Sequence, residues 1–347
     1  MELRELRIGN LTAKLPIIQG GMGIGVSLSN LASAVANEGG IGTISGVQIG
    51  FREPDFFVNP VEANLRAIAS EIKKAREKTK GIIAMNLMVA TSNYELYVKK
   101  AVEEKIDLIV SGAGLPLALP KLVKDSATKI APIVSSAKAA RIIIRSWLKQ
   151  NKLPDAVIVE GPLAGGHLGF KEVELLEGKC MLLKDIVVEV KQLVVSYEEE
   201  YNVKIPVIAA GGIRTKEDII ELAEAGADGF QLSSVFVPTV ECDAHENFKL
   251  AYINAKNDDP LIIKSPVGMP ARAIPTPFLM DSIKNGAVVN KCFKCMPDCD
   301  PLSIPYCISK GLIDSVEGRD GLIFSGANLG TINKMTTVKQ VINDIFG

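Results

Sequence analysis

Histidine is scarce in this chain: there are two among 347 residues, His167 and His245. No two-histidine metal motif is available near either of them, and no Ser/His/Asp order of the hydrolase kind is evident. An excess of charge of either sign is missing too. The 39 basic and 40 acidic residues leave a net charge of −1, and no Lys/Arg block stands out, which argues against a nucleic-acid partner. No run of about 18 apolar residues occurs, so neither a transmembrane helix nor a membrane partner is expected. The start, Met1-Glu-Leu-Arg-Glu-Leu-Arg7, has no apolar signal core. A reducing cytoplasm is therefore the expected compartment.

Hydrophobic residues make up 47% and charged residues 23%, as in a well-buried globular core. Eight short apolar runs recur, at 15–19, 41–45, 82–89, 108–111, 130–135, 156–160, 207–210 and 229–233. They are rich in β-branched residues and apolar on both faces, the pattern of parallel strands covered on both sides. Helical patterns lie between them, at about 28–37, 61–78, 93–104, 115–124, 137–150, 184–201 and 216–226, with an eighth at 243–257. Eight β-then-α units predict an α/β fold, a (β/α)8 TIM barrel spanning 1–257; a doubly wound open sheet is the alternative. Residues 258–324 are proline-rich with little helical period, and read as a small C-terminal lobe over the barrel mouth. Residues 325–347 end in an amphipathic helix expected to pack back on the barrel.

Glycines gather just after the strands, where such a barrel places its catalytic face. Gly20-Gly-Met-Gly-Ile-Gly25 departs from the dinucleotide fingerprint, because its third glycine comes one residue early, and no acidic residue ends the second strand. It reads either as a tight turn with Ser27 or Ser29 capping the next helix, or as backbone lying against a flat ring. Gly211-Gly212 and Ser233-Ser234 follow strands seven and eight, the places where phosphate-binding barrels hold an anion. Gly165, Gly166 and Gly169 flank His167. There the backbone can approach a ligand, and an imidazole titrating near neutrality can move a proton. His245 sits in a polar context and reads as a surface residue.

Pro16-Ile-Ile-Gln-Gly-Gly-Met22, Asn86-Leu-Met-Val89, Ala164-Gly-Gly-His-Leu-Gly169, Ala209-Ala-Gly-Gly-Ile213 and Gln231-Leu-Ser-Ser234 occur in this order. Over nearly the whole chain this set resembles the nitronate monooxygenases (once called 2-nitropropane dioxygenases) and the flavin-dependent enoyl-ACP reductase II. The resemblance implies an FMN-binding barrel with a small lobe. It would put Gly21, Met22 and Gly23 by the isoalloxazine, with Gly166 near the cofactor. Asn86 and Gln231 would hydrogen-bond the cofactor, while Gly211, Gly212, Ser233 and Ser234 hold its phosphate. His167 would be the catalytic residue. One departure is that the family's Met-Gly-Thr is Leu232-Ser233-Ser234 here, which adds a Cβ beside the phosphate.

Four of the six cysteines crowd into Cys292-x2-Cys295-x3-Cys299-x7-Cys307. Four thiolates in this span suffice for a [4Fe–4S] cluster or a Zn²⁺ ion; reduced or partly linked cysteines pinning the lobe are the other reading. The expected activity is FMN-dependent oxidation of alkyl nitronates with O2. An NAD(P)H-dependent enoyl-thioester reductase is the alternative, and a flavin-binding subunit of a larger redox complex is a second. The expected partner is a small nitronate or enoyl-thioester substrate, with a homodimer as the candidate assembly.

Overall fold

The computed structural model describes residues 4–286, 289, 292–297 and 299–347. Among them, eight parallel strands close a barrel: β1 (Ile17–Gln19), β2 (Ile41–Ser45), β3 (Ile82–Met88), β4 (Leu108–Gly112), β5 (Lys129–Val134), β6 (Val157–Glu160), β7 (Val207–Ala210) and β8 (Gly229–Leu232). They pair in chain order, and β8 closes on β1 through Phe230 opposite Ile17. Each expected apolar run holds one strand. The cause is the two-sided burial inferred from composition: Ile17, Ile44, Ile83, Val157 and Val207 pack outward under the helices, while Ile18, Ile41, Ala84 and Ile158 fill the interior.

A short hairpin not anticipated from the pattern, Leu6–Ile8 with Leu11–Ala13, adds Leu6, Ile8 and Ala13 to that interior cluster. It sits at the N-terminal ends of the strands, where a side chain on Gly229 would meet Leu6. The barrel is thereby plugged at one end and open at the other.

The helices follow the expected places with three corrections. The segment expected to be helical over 115–124 forms only Leu119–Leu122, with Pro120 in its first turn. Ser27 and Ser29 do not cap the first helix, Ser29–Asn37, whose N-cap residue is Leu28. The Asp243 carboxylate, arriving from the segment after β8, instead accepts from the N–H groups of Leu28 (2.7 Å), Leu31 (3.1 Å) and Asn30 (3.3 Å).

The third correction concerns the eighth helix. Glu246–Asn254 exists, but Phe248 and Tyr252 bury it in the core of the lobe. The ring position beside Lys216–Glu224 and Ser29–Asn37 is taken by Val338–Phe346, which buries Val338, Val341, Ile342 and Ile345. The lobe is therefore spliced between β8 and the helix that completes its unit.

The lobe is more regular than its composition suggested. An antiparallel sheet joins Leu261–Lys264, Pro270–Ile274 and Ile323–Phe324. Two nine-residue helices accompany it, Pro277–Asn285 and Ile308–Val316. Pro277 stands at a helix start, where its missing N–H costs nothing. The lobe shares its core with Ile24, Val26, Phe51 and Phe56 from the loops after β1 and β2, so it is seated on the barrel mouth.

Candidate active site

A cavity of about 260 Å³ lies at the open end, and every barrel strand or the loop after it contributes to its wall. Gly21, Met22, Gly23, Asn86, Gly166, His167, Gly211, Gly212, Gln231, Ser233 and Ser234 all line it. Residues far apart in the sequence thus meet in one space.

The local reasons differ. A Cβ on Gly21 would stand 2.3 Å from Asn86 Cβ, and one on Gly23 would stand 2.0 Å from Val47 Cγ1. At both positions the neighbouring protein atoms leave no room for a side chain. Gly211 and Gly212 have φ of +98° and +84°, a backbone that only glycine adopts without strain. Ser233 has φ of −128°, so serine is accommodated there, and its hydroxyl lies over Gly20. Ser234 Oγ accepts from Gly326 N–H at 3.1 Å and is also hydrogen-bonded to the Tyr252 hydroxyl. After β8 the chain makes a three-residue 3-10 turn, Ser234–Phe236.

His167 is not held by the barrel alone. The loop after β6 forms a strand, Gly166–His167, that pairs antiparallel with the lobe strand through Ala271 and Arg272. Arg272, buried, donates through Nη1 to the carbonyls of Pro162 (2.9 Å) and Ala164, which pins the same loop. His167 Nε2 lies 2.8 Å from Ser265 Oγ, and Phe324 meets the ring edge-on at 5.2 Å. Burial pushes the imidazole down to about 4, so the ring is neutral at neutral pH. The expectation of a histidine titrating near neutrality is corrected accordingly. His245 is exposed as expected, though as an N-cap: its Nδ1 accepts from Asn247 N–H at 3.1 Å.

Several cavity residues escaped the sequence reading. Arg214 lines the wall beside Gly211 and Gly212. Its Nη2 donates to Ala327 O at 2.6 Å, whereas Nε and Nη1 are buried without a partner. Burial lowers its guanidinium to about 10. Ser325 Oγ and Ser45 Oγ are likewise buried and unpartnered in the same wall. Glu160, the last residue of β6, also lines the cavity, and burial pushes its carboxyl up to about 7. The available signal was position: Glu160 ends a strand and Arg214 follows one.

The four clustered cysteines form no disulfide among the described residues. Cys295 lines the cavity with Met296, Cys292 Sγ accepts from Lys294 N–H at 3.3 Å, and Cys307 precedes the helix Ile308–Val316. Among the described residues no three His, Cys, Asp or Glu side chains assemble as a metal site. Cys292, Cys295, Cys299 and Cys307 nevertheless lie close enough to interact electrostatically, Cys299 with Cys295 and Cys292, and Cys307 with Cys295 and Cys299. The segment is drawn across the barrel rim: Ser92 N–H donates to Cys295 O at 3.0 Å, and Phe293 stacks on Phe56 at 5.7 Å.

A sequence model of the nitronate monooxygenase family matches residues 4–347. The chain belongs to the nitronate monooxygenase family. As a member, it is an enzyme of the oxidoreductase class. A probable nitronate monooxygenase of Staphylococcus aureus (strain Newman) is 25% identical over 78% of each chain. FabK from Thermotoga maritima is 28% identical and superposes with a TM-score of 0.73, covering 96% of this chain and 92% of its own. A nitroalkane oxidase from Streptomyces ansochromogenes, 19% identical, shares the fold with a TM-score of 0.72 over 96% and 94% of the two chains. No helix among the described residues of this family member is long and apolar enough to cross a membrane.

Proposed function

We propose that this family member is an FMN-dependent oxidoreductase that oxidises alkyl nitronates with O2 to carbonyl compounds. The observation that carries the reading is the pairing, in one cavity, of His167 with an anion-ready end built from Arg214, Gly211, Gly212, Ser233 and Ser234. Arg214 Nε and Nη1 and Ser325 Oγ are buried polar atoms awaiting partners, which suits a phosphate. Asn86 Nδ2 is spent weakly on Val110 O at 3.4 Å, so it and Gln231 have capacity left for a ring's carbonyl and N–H groups. FMN, when bound, would accept electrons from the nitronate and give them up to O2.

The chain's own residues would do the rest. The two glycines, the serines and Arg214 would hold the phosphate. Gly21, Met22 and Gly23 would wall the ring. His167, neutral, would offer a hydrogen bond to a nitronate oxygen. Met296 and Cys295 from the lobe would restrict the space around the substrate and limit water.

The test is anaerobic reduction of the flavin-loaded protein, followed by flavin absorbance. Bleaching by propionate 3-nitronate alone is expected. Bleaching only by NADH or NADPH, with colour restored by an enoyl thioester, would replace this reading with the enoyl-thioester reductase that the sequence also resembles. A protein that binds flavin and responds to neither would point to a flavin-binding subunit.

A further inference from the structure

Ser265 lies at the turn between the lobe strands Leu261–Lys264 and Pro270–Ile274 and is 2% exposed. Its backbone is fixed: its N–H donates to Met269 O at 3.0 Å, and its carbonyl accepts from Gly268 N–H at 2.9 Å. Its Oγ accepts from Val267 N–H at 3.5 Å and stands 2.8 Å from His167 Nε2. A buried hydroxyl proton needs an acceptor. Among the described contacts Nε2 is the one within reach, and it can accept only if it carries no proton. The ring's proton must then sit on Nδ1, which has no protein partner among the described residues, while the residue itself lines the cavity.

We propose that Ser265 is a positioning residue for His167: its hydroxyl donates to Nε2, fixes the Nδ1–H tautomer, and so presents the substrate with a neutral donor rather than a base. The tautomer itself is independent of the proposed function; its use on a nitronate rests on that reading. A nitronate is already an anion, so no proton has to be taken from carbon, and an N–H donor is what its oxygens require. The lobe thereby determines the chemistry of a residue that follows a barrel strand. Among the described residues the surroundings add no competing ionic partner. Phe324 covers one edge of the ring, Lys264 and Arg272 are the charged residues of the packed hairpin, and Glu160 is the carboxyl of the cavity wall.

The scarcity of histidine makes the test direct. Protein labelled with ring ¹⁵N-histidine gives two imidazole systems, and His245→Asn assigns them. In the wild type, His167 should show a protonated Nδ1 and an unprotonated Nε2 throughout about pH 5 to 8. Ser265→Ala should mix the tautomers and lower kcat/KM for propionate 3-nitronate by roughly tenfold. Ser265→Thr, which keeps the hydroxyl, should restore both signals and turnover to within about twofold. A wild-type ring protonated at Nε2 would overturn the assignment without any variant, as would a Ser265→Ala ring that keeps its tautomer. If the tautomer is as stated but nitronate leaves bound flavin oxidised, the proposed function falls and the positioning role stands.

Discussion

Replacing Arg214 by methionine tests the anion-binding end of the cavity. The guanidinium makes one strong bond, to Ala327 O at 2.6 Å, and leaves two nitrogens buried and unpartnered among the described residues. Methionine keeps much of the apolar stem, removes the charge, and loses that one bond. The lost bond, about 1–2 kcal/mol, is offset by relief of the uncompensated charge, so ligand-free stability should change by no more than about 1 kcal/mol. Binding is a different matter. A phosphate meeting Nε and Nη1 gains charge-assisted bonds of about 1.5–3 kcal/mol, of which ~2 kcal/mol net corresponds to roughly 30-fold in Kd. Riboflavin has the same ring and no phosphate, so its affinity should move by less than about twofold. Fluorescence titration of the apoprotein with FMN and with riboflavin reads both numbers, and thermal unfolding reads the stability. Parallel losses for the two flavins would refute the reasoning, since Arg214 would then be acting only as a tie to Ala327. Unchanged FMN affinity would refute it too.

The same contacts make further outcomes measurable. Glu160 is raised from 4.5 to about 7 in the fold, so its contribution to stability is complete below about pH 4.5 and is lost as pH rises through 7. Ligand-free Glu160→Gln should remove up to ~3 kcal/mol of that alkaline loss in urea unfolding at pH 5 and 8; an unchanged pH slope would show that the carboxyl is solvated. His167, lowered to about 4, acts in the opposite sense: its contribution is present above about 6.5 and fades as pH falls toward 4. Asp243→Ala leaves three N–H groups of the first helix without their acceptor and should cost about 1–2 kcal/mol. A urea midpoint within error of wild type would mean that water replaces the carboxylate.

The barrel was legible because its signal is local and repeated: each strand is a short run buried on both faces, followed by a turn. The Leu6–Ile8 hairpin was not, because three-residue strands carry no period. The lobe's helices were masked by proline counting, which treats Pro277 as a breaker although it begins a helix. The amphipathic pattern over the last residues predicted a helix against the barrel correctly, but which slot it fills is decided by packing with Ser29–Asn37 and Lys216–Glu224. The site was readable wherever glycine or histidine stood out after a strand. Arg214 did not stand out, since a basic loop residue is ordinarily solvated. Its burial is created by segment 325–327, far away in sequence. Ser265 was hidden for the same reason: its partner, His167, is 98 positions distant.

The splice between β8 and the helix Val338–Phe346 has a consequence for how the chain acquires its shape. On the ribosome the eight strands emerge first, but the ring of helices around them keeps a gap until more than a hundred residues beyond Leu232 have been made. Completion of the helical ring is thus a late, long-range event, and the apolar groove between Ser29–Asn37 and Lys216–Glu224 stays uncovered while the lobe is synthesised. A chain ending before Val338 would hold every barrel strand and the whole lobe and still leave that one seam of the wall open.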